Sequence, residues 1–224
     1  MAKVFLSAGH GGSDPGACAN GLQEKVINLN TLLACKSELE RHGVTVVASR
    51  TTDANDPVQE EVREANASGA DIAVSFHANA GGGDGFEAFY WASSAEGKRL
   101  AQLGEKYVKQ LGQNSRGCKT GNHLMFVNGT SMVAVLFESF FLDNSTDKAI
   151  GDTVAEQSAF GVAYAKAILE YFGIAYKAQE AAKPAAASGK LYRVQVGAFS
   201  VKENAEKLAD ELKAKGYSVI IKAE

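Results

Sequence analysis

Three short apolar segments in this 224-residue chain each run into a side chain able to bind a metal or move a proton. Val4-Phe5-Leu6 leads through a small-residue turn to His10, inside a glycine-rich loop that closes on Glu24. Asp71-Ile72-Ala73-Val74-Ser75-Phe76 runs straight into His77, and Val133-Ala134-Val135-Leu136-Phe137 runs straight into Glu138. Apolar runs of this length, bounded by turn residues, read as buried strands. Open α/β sheets gather ligands outside the carboxyl ends of parallel strands, where strand tips and helix starts converge. The pattern therefore places His10, Glu24 and His77 together as a zinc site, with Glu138 beside it.

The segments between these strands read as helices. From Glu24 to His42 a 3.6-residue period puts Val26, Leu29, Leu33 and Lys36 on one face, flanked by Leu22, Leu32 and Leu39, and Gly43 supplies a left-handed stop. Val44–Ser49 is β-rich and forms a second strand. Asp56-Pro57-Val58-Gln59 predicts a helix start, with Asp56 as N-cap and Pro57 at the first helical position, and the helix ends near Gly69. After His77 come a flexible Gly81–Gly85 rim, a strand over Phe86–Trp91 and a helix over about Ser94–Leu111. Residues 112–132 carry little regular signal, and a last helix spans about Thr153–Phe172. Strands alternating with helices imply an α/β fold over residues 1–176, three layers (αβα) around a mostly parallel mixed sheet.

At residue 177 the composition shifts to an alanine-rich stretch with one proline, read as a linker over 177–189. Residues 190–224 read as a small β-α-β unit. Leu191–Gly197 alternates like a strand, Ser200–Glu203 is a capping box opening a helix that stops at Gly216, and Tyr217–Lys222 is a second strand.

Composition narrows the partners. A net charge of −3 argues against broad binding to nucleic acid, and no apolar run approaches the ~20 residues that span a bilayer, so no membrane partner is expected. The first residues, with one lysine and only a strand's worth of apolar side chains, do not form a secretory signal. The expectation is a protein made in the cytoplasm that reaches its target only after release. Cys18, Cys35 and Cys118 are odd in number and form no C-x-x-C pair, which reads as free thiols.

Two imidazoles and a carboxylate are a ligand set for catalytic zinc, which takes about three protein ligands and keeps a position open. Spacing alone leaves open a plainer reading of two loop histidines and a glutamate serving a helix dipole. Glu138, after five apolar residues, reads either as a general base or as a strand-end carboxylate paired to an arginine such as Arg50.

AGHGGSDPGA with Glu24, then VSFHANA, then VLFESFFLDN closely resemble the type 3 N-acetylmuramoyl-L-alanine amidases over residues 3–173. The resemblance implies a zinc hydrolase that cuts the amide between muramic acid and L-alanine in peptidoglycan and so lyses the cell wall. The family's ligands fall on His10, Glu24 and His77, and its catalytic glutamate on Glu138. Asp14 and Asn79, in the matched loops, would orient His10 and His77. His123 lies outside the matching pattern and is either a contact to the substrate peptide or a surface histidine. Glu87 reads as a strand glutamate holding a loop, and Arg50 and Arg63 as ion-pair partners. The tail, with YRVQVGAFS and GYSV, resembles half of a sporulation-related repeat (SPOR) domain, a binder of peptidoglycan glycan. Alternative readings are a zinc peptidase acting on the stem peptide and a wall-binding module without catalysis. Release by phage lysis or mother-cell lysis would carry the protein to the wall. A lone β-α-β unit below about 40 residues seldom folds by itself. The tail is therefore expected to make the protein a homodimer through residues 190–224.

Overall fold

The computed structural model describes residues 2–178, 195–214 and 219–222. The chain divides into two compact units, Met1–Lys177 and Ala178–Glu224. In the first, the elements run β1 (Lys3–Ala8), β2 (Cys18–Ala19), β3 (Leu22–Gln23), α1 (Glu24–Arg41), β4 (Thr45–Ala48), α2 (Val58–Ser68), β5 (Ile72–Asn79), β6 (Phe86–Tyr90), α3 (Ala95–Lys109), β7 (Ser115–Thr120), α4 (Met125–Gly129), β8 (Val133–Phe141), α5 (Ser145–Lys148) and α6 (Val154–Tyr171). The main sheet has the order β4-β1-β5-β8-β6-β7. Its first four strands pair in parallel, β6 lies antiparallel to β8, and β7 is parallel to β6. This is the mostly parallel mixed sheet that the alternation of elements predicts.

Strand alternation sorts the sheet into two faces. Val4, Leu6, Val74, Phe76, Val135 and Phe137 point into the larger core, under α1, α3 and α6. Tyr164 of α6 is fully buried there, stacks on Phe137 with centroids 4.5 Å apart, and its hydroxyl lies 2.9 Å from Ser139 Oγ. The other face is shorter on cover. Phe5, Ala73 and Ala134 meet Ala65 of α2 and Phe126 of α4 in a small second cluster. Two alternations further along β5 and β8 come His77 and Glu138.

Several local expectations change. The buried face of α1 is Ile27, Asn28, Thr31, Leu32, Cys35 and Leu39, whereas Val26 and Leu33 are exposed. A hydropathy reading rejects Asn28 and Thr31 as core, yet each donates to a carbonyl there: Asn28 Nδ2 to Gly9 at 3.0 Å and Thr31 Oγ1 to Gln157 at 3.3 Å, while Asn28 Oδ1 has no partner among the described residues. Asp56 does not cap α2. The helix begins at Val58 behind Pro57, and Asp56 is buried with Oδ2 lacking a hydrogen-bond partner among the described residues. Arg50 meets carbonyl groups rather than a carboxylate, donating to Ala8, Gly9, Lys25 and Thr52. Arg63 pairs with Glu60 at 2.6 Å. The stretch 112–132 holds β7 and α4.

In the second unit the helix is α7 (Lys202–Ala214). Gln195–Gly197 and Val219–Lys222 are unpaired as strands among the described residues. The rest of both expected strands, the stop at Gly216 and linker residues 179–189 lie outside them. Among the described residues no helix is long and apolar enough to cross a membrane.

Candidate metal centre

The site is built from the carboxyl rim of β1, β5 and β8 and the first turn of α1. His10 follows β1 in a left-handed conformation with φ 65°, uncommon for a residue with a Cβ and characteristic of functional sites. Asp14, four residues on, accepts from His10 Nδ1 at 2.8 Å and so turns Nε2 toward Glu24, 3.2 Å away. Glu24 opens α1, where the helix dipole favours a carboxylate. Its Oε1 lies 2.9 Å from His77 Nδ1, and its Oε2 accepts the Ala17 N–H at 2.8 Å. The two imidazole rings meet edge to face at 5.2 Å. Two glycines make room. A Cβ at Gly9 would come within 2.2 Å of the His77 ring, and one at Gly16, itself at φ 63°, within 2.6 Å of Glu24 Oε2.

One ligand atom from each of His10, Glu24 and His77 falls within 4.8 Å of the others. Two imidazole nitrogens and a nearly buried carboxylate this close together fit a divalent cation of the zinc class. Without a metal the three groups hold one another by hydrogen bonds, and a cation must displace the proton between them. Hydrogen bonding to Glu24 raises the His10 imidazole to about 9, against the opposing pull of burial and with help from Asp14. Burial works to raise the Glu24 carboxyl, but His10 and His77 outweigh it and hold it far below the usual carboxylate range.

Glu138 is not at a strand tip. It sits inside β8 opposite His77 in register, and His77 likewise lies inside β5. Alternation puts both side chains on the sheet face that carries the α2–α4 cluster, and both are half-buried there. Glu138 Oε2 is enclosed and has no hydrogen-bond partner among the described residues. Burial pushes its carboxyl up to about 7, with His77 opposing and Glu24 and Glu87 assisting.

The other expected residues distribute unevenly. Asp14 is on His10, but Asn79 does not reach His77. Its Oδ1 accepts the Ala80 N–H and its Nδ2 faces Glu87 Oε2 at 3.4 Å. His123 is exposed, edge-on to Phe89 at 6.2 Å. Glu87, opposite Glu138 on β6, does more than hold a loop: Arg116 and Lys119 of β7 both donate to it. Nothing in the sequence joined these cations to Glu87, because β7 itself carried no apolar signal. Below His77, Ser7 and Ser75 pair in register under the buried Glu61 of α2, a polar layer that hydropathy also conceals.

A mostly parallel sheet that brings two histidines and a glutamate together toward its carboxyl ends, with a second glutamate one strand across, is the arrangement of a hydrolase with a candidate metal centre. Comparison with known proteins specifies it. The N-acetylmuramoyl-L-alanine amidase model matches residues 4–170, and the chain belongs to that family. A SPOR domain model matches residues 188–224. The chain is 37% identical to the N-acetylmuramoyl-L-alanine amidase CwlM of Bacillus licheniformis, over 99% of this chain and 85% of that protein. It is 40% identical to an endolysin of Bacillus phage SPP1, over 71% of this chain and 64% of the phage protein. The catalytic domain of CwlV, an amidase from Bacillus (Paenibacillus) polymyxa, superposes with a TM-score of 0.72 at 30% identity, covering 78% of this chain and all of that one. The activity is hydrolysis of the muramoyl–L-alanine amide of peptidoglycan, and the SPOR segment supports binding to the same polymer.

Proposed function

We propose that the amidase is zinc-dependent, with His10, Glu24 and His77 as the ligands and Glu138 as the proton carrier. The observation that carries this is the convergence of the three ligand atoms within 4.8 Å, with Glu138 in register beside His77. A zinc ion held there would supply Lewis acidity to the scissile carbonyl and acidify water at the site. Glu138 takes a proton from the attacking water and delivers it to the departing L-alanine nitrogen. The new C–O bond forms and the C–N bond breaks, and the second water proton passes from the new carboxyl group to the amine, leaving a carboxylate on the lactyl group and an ammonium on the peptide. A carboxyl near pKa 7 suits both halves of that transfer. Asp14 fixes the His10 ring, Asn79 acts through Glu87, and exposed His123 serves as a contact for the peptide. Residues 1–176 form the catalytic domain, joined by a 177–189 linker to the wall-binding 190–224 unit.

The test combines metal analysis with mass analysis of digested peptidoglycan. About one zinc per chain, activity lost on chelation and restored by zinc, and new free L-alanine amino termini on intact glycan are expected. Full metal content in both His10→Ala and His77→Ala would remove these residues from the ligand set.

The tail carries a second part of this reading, a homodimer through residues 190–224. Val196, Phe199, Val201, Ile220 and Ile221 are exposed apolar side chains in a unit too small to bury them. Light scattering should give a dimer for the full chain and a monomer for residues 1–176. Monomers in both samples at micromolar concentration would refute it. Arrival at the wall by cell or phage lysis is the route that fits relatives such as the phage endolysin.

A further inference from the structure

We infer that Arg116 and Lys119 form an anion subsite of the catalytic groove, which takes the free carboxylate on the second residue of an acidic stem peptide. The inference rests on the amidase reading and specifies which stems the same site prefers.

Glu87 is almost fully buried, its side chain 7% exposed, while the side chains of Arg116 and Lys119 are 46% and 38% exposed. Both cations converge on the same oxygen, Glu87 Oε1. One carboxylate facing two cations leaves the Glu87–Arg116–Lys119 cluster itself with one positive charge in excess. Among the described residues the side-chain hydrogen bonds of Arg116 and Lys119 go to Glu87 alone, so donors of both remain for another acceptor. The Arg116 guanidinium also lies 5.4 Å from the Phe141 ring centroid, which helps fix its plane. A guanidinium held on one side by a carboxylate and an aromatic ring is a preorganised receptor for a second carboxylate.

The position matches the substrate. Glu87 is the register partner of Glu138, and β7 is the next strand out. At ~4.8 Å between strands, the β7 backbone is about 10 Å from that of Glu138, and both cationic side chains lean back toward it. An extended peptide advances about 3.5 Å per residue, so a carboxylate on the second stem residue lies about 7 Å past the scissile nitrogen. A peptide running outward across β6 from Glu138 places that group within reach of the two cations. On this face the α2–α4 cluster packs on Phe5, Ala73 and Ala134, before His77 and Glu138 along the strands, while Arg116 and Lys119 stay partly exposed.

The experiment uses the full zinc-loaded chain and two soluble muramoyl peptides, differing only in a free carboxylate or a carboxamide on the second residue. The wild type should favour the carboxylate about five- to tenfold in kcat/KM, mainly through KM. Arg116→Gln and Lys119→Gln should each shrink that ratio, and the double variant should bring it to about 1. Each single variant leaves Glu87 one cation, and thermal unfolding checks that it folds. Arg116→Lys should keep more of the preference than Arg116→Gln. Equal cleavage of both peptides by the wild type, or an unchanged ratio in both single glutamine variants, would overturn the subsite and leave the amidase reading intact. Failure of the wild type to cleave either peptide would overturn both.

Discussion

Gly9→Ala tests the geometry of the centre without altering any ligand. Gly9 does not have a left-handed φ, so alanine is compatible with its backbone, and its N–H bond to the Phe76 carbonyl at 3.1 Å can persist. The added Cβ, however, would stand 2.2 Å from His77 Cε1 and 2.3 Å from Nε2. Reaching an ordinary contact of 3.4 Å requires the ring to retreat by about 1.2 Å. Metal–ligand distances tolerate only about 0.2 Å, and misplacement by ~1 Å near the chemistry can cost about 10²-fold in rate. Overpacking of this kind destabilises by about 1–3 kcal/mol, which a domain of this size survives. The expected protein is folded by circular dichroism, binds zinc weakly and has lost activity by two orders of magnitude or more. A stability cycle with His77→Ala assigns the cause. Once the ring is gone, Gly9→Ala should become nearly neutral, giving a coupling of about 1–3 kcal/mol. Wild-type zinc affinity with activity within threefold of wild type, or no coupling in the cycle, would refute the reasoning.

Three further outcomes follow from the same contacts. Glu138→Gln should retain zinc by mass spectrometry while turnover falls by about 10² or more, because the side chain keeps its size and loses its basicity. Metal binding should release protons: the metal-free His10 is raised from 6.5 to about 9, so its charged form stabilises the apo fold fully below 6.5 and that contribution fades as pH rises through 9. Zinc needs the unprotonated ring, so affinity should climb with pH up to about 9, and calorimetry in buffers of different ionisation enthalpy should detect the proton; a pH-independent affinity between 6.5 and 9 would contradict this. Asp147→Ala should lower stability by about 2–5 kcal/mol in thermal unfolding, since the buried Asp147 Oδ2 accepts both the Phe141 N–H at 2.7 Å and the Gly85 N–H at 2.8 Å; a change below 0.5 kcal/mol would remove it as an anchor of the rim.

Legibility in the sequence followed hydrophobic contrast. Strands β1, β5 and β8 are apolar runs beside polar loops, so their existence, and the chemistry after each run, could be read directly. Buried polar side chains carry no such contrast. The inward face of α1 was assigned to Val26 and Leu33 because Asn28 and Thr31 look like surface residues until their carbonyl partners are known. Strand β7 (SRGCKT) was invisible because its useful residues are cations aimed at a buried glutamate on another strand. Glu138 is legible as chemistry but not as a mid-strand residue, since how far β8 continues beyond it is fixed by its pairing with β5 and β6.

The reversal of β6 has a consequence for how such enzymes diversify. Because β6 runs against β8, the Ala80–Gly85 connection leaves β5 and enters β6 at the same rim, crossing the end of β8 beside the centre. Asp143 tethers it through the Gly81 and Gly82 N–H groups, and Asp147 through Gly85. Lengthening a loop twofold costs only about 0.6 kcal/mol in closure entropy. Inserted residues between Gly82 and Gly85 would therefore overhang the groove while the sheet, the tethers and the ligands stay in place. Mutation can redraw the entrance at this one connection, trying new walls against new substrates, without risking the catalyst beneath.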